Sequence, residues 1–256
     1  MNKSSNLSSV ENALRVLECF TIDETEKRVT EIARELNIAK STVSRLLKTL
    51  LNKGYVKKNQ ETKKYFLGTK ILTLHSSLIS HMEIIKEAHP SLEQLARETS
   101  ESIQLAELEG SNVIYIEQIP SSYPIQIFAH IGRINPIHCT SSGKLLLAYQ
   151  KEEIIDKILK INFHKYTSST VTNPNILKEE LREIKELGYC FIENQFVEGI
   201  ASIAAPIKDH NNNVVATVSL VGPVQRINTD KIPRFINKVI NTAKKISFNL
   251  GFIEKN

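Results

Sequence analysis

The chain has 256 residues, 41% of them hydrophobic and 24% charged, with 33 lysines and arginines against 28 acidic residues. That length suits two modest domains, each with enough apolar content for a core. No apolar run approaches the ~18 residues of a membrane span, and the opening MNKSSNLSSVENA has no signal-type apolar stretch. Three cysteines (Cys19, Cys139, Cys190), odd in number, far apart and without a C-x-x-C, argue against disulfides or a cysteine zinc site and fit a reducing cytoplasm. The charge is uneven. Residues 1–70 hold 14 Lys and Arg against 8 acidic residues, and residues 71–256 hold 19 against 20, so the whole positive excess sits in the first quarter.

In chain order, Ser8 and Glu11 form a capping box for a helix through about Phe20, with Val10, Leu14 and Leu17 on one face. After a polar loop, Thr30 is placed to cap a second helix, Glu31 to about Leu36, which Asn37 ends. The turn NIAK leads into a third helix from about Ser41. There Val43, Leu46, Leu47 and Leu50 recur at the 3.6-residue period and form one apolar stripe. Gly54 closes that helix. Tyr55–Lys58 and Lys64–Leu67 then read as two short strands around the polar turn NQET.

The remaining face of the third helix carries Lys40, Ser41, Thr42, Ser44, Arg45 and Lys48, and the hairpin adds Lys57, Lys58, Lys63 and Lys64. Within 39–64 the only acid is Glu61. Long cations that reach phosphates, beside short hydroxyls that can meet base edges, are the chemistry of a helix lying in a DNA major groove. A solvated basic face is the bland reading, and the coincidence with a helix-turn-helix pattern weighs against it.

Helical spacing resumes at Ile71, Leu74 and Leu78 and continues towards Arg97, with Pro90 either breaking the helix or opening a new one. Beyond it the texture changes. Strand candidates are 103–108, 113–118, 125–130, 189–193, 202–207 and 214–221, with HNNN as the turn before Val214. Helical patterns cover 141–150, 151–160, 175–187 and 229–250, the last opened by Thr229 and Asp230. The expected class is α+β, with an antiparallel sheet flanked by helices.

With these patterns in hand, the chain resembles the IclR family of bacterial transcription regulators over nearly its whole length. The motifs are S-V-x-x-A-L-x-V-L from Ser9, E-I-A from Glu31, K-S-T-V-x-R-L-L-x-T-L-x-x-x-G-Y from Lys40 to Tyr55, and Y-x-L-G from Tyr65. They continue with Gly132-Arg133, Pro136-Ile137-His138, S-G-K-x-L-L-A from Ser142, Gly188-Tyr189, G-I-x-x-I-A-A-P from Gly199, S-L-x-G-P from Ser219, and Leu250-Gly251. Each motif is weak alone; their order and spacing carry the resemblance.

The resemblance implies a winged helix-turn-helix over 1–70, a linker helix over 71–88, and a GAF-like effector-binding and oligomerisation domain over 89–256. It implies a DNA-binding regulator, with repression the expected sign, which acts on double-stranded operator DNA as a homodimer or homotetramer and answers a small carboxylate-bearing metabolite. No cofactor, metal or membrane is expected. The DNA contacts carried over are the ten residues named above. The effector contacts carried over are Thr140, Ser141, Ser142 and Gly143 at a helix start, Ile200, Ser202 and Ile203 on one strand, and Ser219 and Val221 on another. Relatives that take small oxo-acids tend to have an acidic residue where this chain has Ile192 and a polar one where it has Val221, which implies a greasier wall and a larger acid.

Catalysis is not expected. The run from His138 to Leu145 fails the phosphate-loop pattern, because a histidine stands where the first glycine belongs and Lys144 is followed by leucine. Cys139 lacks an oriented base. No nucleophile elbow or metal-binding histidine spacing occurs. The competing reading is a metabolic enzyme or ligand carrier whose basic module docks on protein or RNA; it would show salt dependence without duplex preference.

Overall fold

A computed structural model describes residues 8–123 and 130–253. The chain divides into two compact units, Met1–Met82 and Glu83–Asn256.

In the first unit, α1 (Ser8–Glu18), α2 (Val29–Leu36) and α3 (Lys40–Asn52) enclose a core of Val16, Phe20, Ile32, Val43, Leu47 and Val56. The α3 stripe expected from its periodicity is the one that buries. The cap of α2 differs from expectation: Arg28, not Thr30, is the N-cap, and the Glu31 carboxylate accepts the Arg28 N–H at 2.6 Å. Asn37 ends the helix in the left-handed region, as a short polar side chain allows.

The wing pairs β1 (Val56–Lys58) with β2 (Tyr65–Leu67) in antiparallel register. Asn59 shapes its tip, its side chain accepting N–H bonds from Glu61 and Thr62. Lys27, in the loop after α1, exchanges two backbone hydrogen bonds with Tyr65, at 2.9 and 2.8 Å, so that loop acts as a third short strand. Its side chain is buried yet charged, held between Glu24 and Glu35.

Two apolar surfaces of this unit stay open. Val10 and Leu14 on α1 are exposed rather than buried as one side of a core. Helix α4 (Lys70–His81) has no buried residue, and Leu72, Leu74 and Leu78 are exposed. The linker expected over 71–88 covers all but the first residue of α4, then Met82 and the first six residues of the next helix.

That helix, α5 (Glu83–Thr99), opens the second unit and runs straight through Pro90. A mid-helix proline forfeits one backbone bond and costs about 3 kcal/mol. Here Ile85, Ala88, Leu92 and Leu95 are buried along one face, and packing of that stripe outweighs the loss. A six-stranded antiparallel sheet follows, in the spatial order β5-β4-β3-β8-β7-β6. Its strands are β3 (Ser102–Glu109), β4 (Asn112–Ile119), β5 (Ile134–Pro136), β6 (Cys190–Glu193), β7 (Ile200–Lys208) and β8 (Val214–Pro223). The β7–β8 hairpin turns without glycine because Asn212 takes a positive φ of 65° and Asp209 accepts the Asn211 and Asn213 N–H groups. Strand β5 escapes the sequence pattern, being three residues long with a proline at its end. The strand expected over 125–130 lies outside the described residues, save His130, which is in no element.

Residues paired across antiparallel strands share a face, and successive residues alternate. One face packs α6 (Ser141–Ala148), α7 (Glu152–Ile158) and α8 (Pro174–Leu187), whose Leu145, Ile155, Leu177 and Leu181 meet Cys190, Ile192 and Ala204. The other carries α5 and α9 (Ile232–Asn249). Helix α9 begins after Lys231, without the side-chain cap expected from Thr229 or Asp230.

Candidate functional site

The first candidate surface belongs to α3 and the wing. Lys40, Ser41, Ser44, Arg45 and Lys48 are exposed on α3, because the buried stripe of Val43, Leu47 and Leu50 turns them outward; Thr42 is half-buried. On the wing Lys57 and Lys63 are exposed, and Lys58 lies over the Tyr65 ring, 5.2 Å from its centroid. None of these cations forms a salt bridge among the described residues, whereas Lys27, of the same unit, takes two carboxylates. Cations left to solvent keep their full field for a polyanion. Lys64 stands apart. It is half-buried in a cleft that also contains Glu24, Glu31 and Glu35, so its charge is partly offset locally. Arg45 and Thr42 sit at the border of the basic face and line, with Val10, Leu14, Leu46 and Leu74, an apolar groove of about 750 Å³.

The second candidate site lies in the other unit, where α6 meets the sheet. Register fixes which strand residues face it. Ser102, Val221, Ser202 and Ile192 form one row across β3, β8, β7 and β6; Gln118, Gln104, Ser219, Ala204 and Cys190 form the next, from β4 onward; Ala106, Thr217 and Pro206 form a third. The middle of an otherwise apolar face is therefore polar. Ser102, Gln104, Ser202, Thr217 and Ser219 are all buried. Above this face the first turn of α6 places Ser141 Oγ 2.5 Å from Ser202 Oγ, a bond between hydroxyls 61 residues apart in the chain.

The four residues expected at the helix start divide into two roles. Thr140 is the N-cap: its hydroxyl donates to the Pro136 carbonyl at 2.8 Å and accepts the Gly143 N–H at 3.2 Å, leaving it saturated. Gly143 is there for closeness. A Cβ on it would lie 2.3 Å from the Ile137 carbonyl oxygen. Those two build the turn. Ser141 and Ser142 lie in the first turn of α6, where N–H groups lack partners within the helix and the helix end is positive. Among the described residues the Ser142 hydroxyl, which is buried, has no hydrogen-bond partner.

Ser219 Oγ, Thr217 Oγ1 and Gln118 Oε1 share that condition. A buried polar atom without a partner costs about 1–3 kcal/mol. Several on one side of one sheet, beneath a helix N-terminus, mark a place built to take hydrogen bonds from something else. Gln104, Gln118, Ser102 and Thr217 were not among the expected contacts. Their signal was present as polar residues at inward positions of apolar strands, but only the pairing register brings them together.

Ile203 is a correction. It follows Ser202 in an unbroken strand, so it points to the opposite face, paired with Phe191 and Leu220, and cannot line the same site. Ile200 and Val221 have the parity of Ser202, and Val221 and Ile192 flank Ser202 on either side. The site is thus polar at its centre and apolar at that border.

Behind it, Lys144, almost fully buried, reaches Glu180 of α8 at 2.6 Å and ties α6 to that helix. His138 Nε2 donates to the His164 carbonyl at 2.9 Å, and its ring stacks on Phe163 with centroids 4.5 Å apart. Burial pushes the Cys139 thiol up to about 12, so it is protonated at neutral pH and no nucleophile.

A winged helix-turn-helix with a basic face, followed in the chain by an α+β unit, is the architecture of a DNA-binding transcriptional regulator. The IclR helix-turn-helix domain matches residues 9–60, and the bacterial transcriptional regulator IclR C-terminal domain matches residues 76–248. The chain belongs to the IclR family. It is 30% identical over 248 residues to the HTH-type transcriptional regulator KdgR of Escherichia coli, covering 96% of this chain and 94% of that one. It is 30% identical over 251 residues to the transcriptional repressor IclR of E. coli, covering 97% and 92%. The crystal structure of an IclR homolog from Microbacterium hydrocarbonoxydans complexed with 4-hydroxybenzoate superposes with a TM-score of 0.84 at 26% identity, covering 94% of this chain and 98% of that chain. No helix among the described residues is long and apolar enough to cross a membrane.

Replacing Gly143 with alanine is expected to push α6 off the Ile137 carbonyl. Overpacking of this kind costs about 1–3 kcal/mol. Urea denaturation of Gly143→Ala against the parent chain measures it; an unchanged midpoint would show that the close approach is not needed.

Proposed function

We propose that this regulator reads double-stranded operator DNA with α3 and the wing, and that a carboxylate-bearing metabolite at the Ser141–Ser219 face controls its affinity. The observation that carries the DNA half is the set of unpaired cations and hydroxyls on α3 and the wing. Lys40, Lys48, Lys57, Lys58 and Lys63 serve as phosphate contacts, Ser41, Thr42 and Ser44 as short polar contacts, and Arg45 as the residue best suited to a base edge. Lys64 contributes less, given its acidic surroundings. Repression is the proposed sign, in keeping with the similarity to a transcriptional repressor. The work is cytoplasmic, where such DNA lies.

Fluorescence anisotropy on the intergenic DNA beside its own gene, against a scrambled duplex, tests this. Specific binding should exceed non-specific binding by ~10³-fold or more and weaken steeply as salt rises. Lys57→Ala/Lys63→Ala should lower affinity for both duplexes and flatten the salt dependence. Arg45→Ala should cost the native duplex about 1–3 kcal/mol and narrow the preference. Equal binding of both duplexes by the parent chain would defeat the operator reading.

Oligomerisation accompanies it. The exposed Val10 and Leu14 of α1 and Leu72, Leu74 and Leu78 of α4 form apolar surface of the kind a second copy covers. Leu14→Asp/Leu78→Asp should shift the protein to a monomer in sedimentation velocity and weaken operator binding; an unaltered sedimentation coefficient would place the interface elsewhere.

For the metabolite, the free N–H groups of the Ser141–Ser142 turn suit a carboxylate, and the unpartnered hydroxyls suit further polar groups. Ile192 and Val221 favour an acid larger than pyruvate, as does the likeness to a homolog complexed with 4-hydroxybenzoate. Calorimetry with 4-hydroxybenzoate, a sugar acid and pyruvate should rank pyruvate last. Ser219→Ala should weaken the better ligand by roughly tenfold without destabilising the fold, because the hydroxyl it removes is unsatisfied. Tightest binding of pyruvate would overturn the size argument.

A further inference from the structure

A separate concavity of about 590 Å³ opens in the second unit, between the C-terminal half of α9, the end of α8 and the margin of β7. Strand β6 pairs with β7 only from Ala201 to Ala204, so Ala205–Lys208 has no neighbour on that side. This edge is not made for another strand. Pro206 offers no N–H, and the Lys208 N–H is already given to Ser247 Oγ of α9 at 2.9 Å. The walls are apolar, from Tyr149, Leu187, Ile240, Phe248 and Phe252. Lys208, Lys244 and Lys245 are among the lining, and no lining residue among the described ones is acidic.

Two of these lysines are held by neutral groups. The Lys208 ammonium lies 5.1 Å from the centroid of the Phe252 ring, and Lys245 donates to the Gln94 side-chain carbonyl at 3.1 Å. Asp209, next in sequence, directs its carboxylate to Asn211 and Asn213. The cations are not part of a general basicity, since residues 71–256 carry one acid more than they carry lysines and arginines. An open apolar groove with lysines in its lining complements an amphipathic anion, and the volume lies in the range of small-molecule sites.

We propose that this groove is a second ligand site, for a medium-chain carboxylate whose alkyl body lies along Ile240 and Phe248 and whose head meets Lys208 and Lys245. It is distinct from the Ser141–Ser219 face, to which a physical path nevertheless leads. Ser141 begins α6 and Tyr149 is its C-cap, so the two sites occupy opposite ends of one eight-residue helix.

The chain has no tryptophan, which makes Phe248→Trp, at an exposed position of the rim, a sole fluorescent reporter. Titrating the full-length Phe248→Trp protein with sodium decanoate should give a saturable emission change, and decylamine, with the same body and opposite charge, should give none. Lys208→Glu/Lys245→Glu in that background should weaken decanoate at least tenfold, with circular dichroism unchanged. Calorimetry of decanoate on the unsubstituted protein guards against an effect of the reporter itself. No saturable response in either assay, equal response to decylamine, or full affinity after charge reversal would each overturn the proposal. So would a sedimentation shift showing that a second copy fills the groove.

Discussion

The turn into α6 can close on the helix's first residues because residue 143 has no side chain. The distance from a would-be Cβ to the Ile137 carbonyl leaves no tolerance, and the saturated hydroxyl of Thr140 holds the turn from the other side. From that one approach the rest of the site follows. Ser141 comes within hydrogen-bond reach of Ser202, Ser142 is buried without a partner, and Leu145 and Leu146 seal the layer beneath. Lys144, pointing away from the polar row, closes the arrangement with an ion pair to α8. A buried pair of this kind adds little net stability, but it penalises any packing that would separate its members.

The polar rows carry a stability cost inside an otherwise apolar sheet face. A core built for stability would put alanine or valine at Thr217 and Ser219; the chain keeps hydroxyls there, buried and unsatisfied. Proteins keep such local costs where function requires them, and the surrounding apolar rows of Ile103, Leu105, Val218 and Leu220 on the reverse face supply the compensation. The same division appears in the DNA-reading unit. There the core cations are paired and the surface ones are not.

Much of this was readable from residues. The α3 stripe, the wing strands, the β7–β8 hairpin and the helix beginning at Ser141 all declare themselves through periodicity and turn chemistry, which are local. What was not readable depends on partners far away in sequence. Strand β5 is too short for a period to form. Pro90 should interrupt α5 and does not, because burial against the sheet outweighs a local penalty. Val10 and Leu14 have the spacing of a core stripe and yet lie open, since periodicity records that a face is apolar and is silent on what will cover it. Ile203 was carried over from the resemblance together with Ser202, whereas adjacent strand residues face apart. Gln104 and Gln118 join the site only through the register of β3 with β4.

The two backbone bonds between Lys27 and Tyr65 bear on how such a protein lets go of DNA. The wing's first strand, β1, follows α3 in the chain, and its second, β2, is bonded through Tyr65 to Lys27 in the loop that follows α1. A hairpin held on both sides behaves as part of a rigid body rather than as a flap. Release by folding the wing away would mean breaking that ladder and exposing the Lys27 side chain between its two carboxylates. Displacing the whole reading head, with recognition helix and wing in fixed relation, breaks nothing inside it. Within the first unit, helix-turn-helix and wing are therefore one hydrogen-bonded piece, tied through Lys27 and Tyr65.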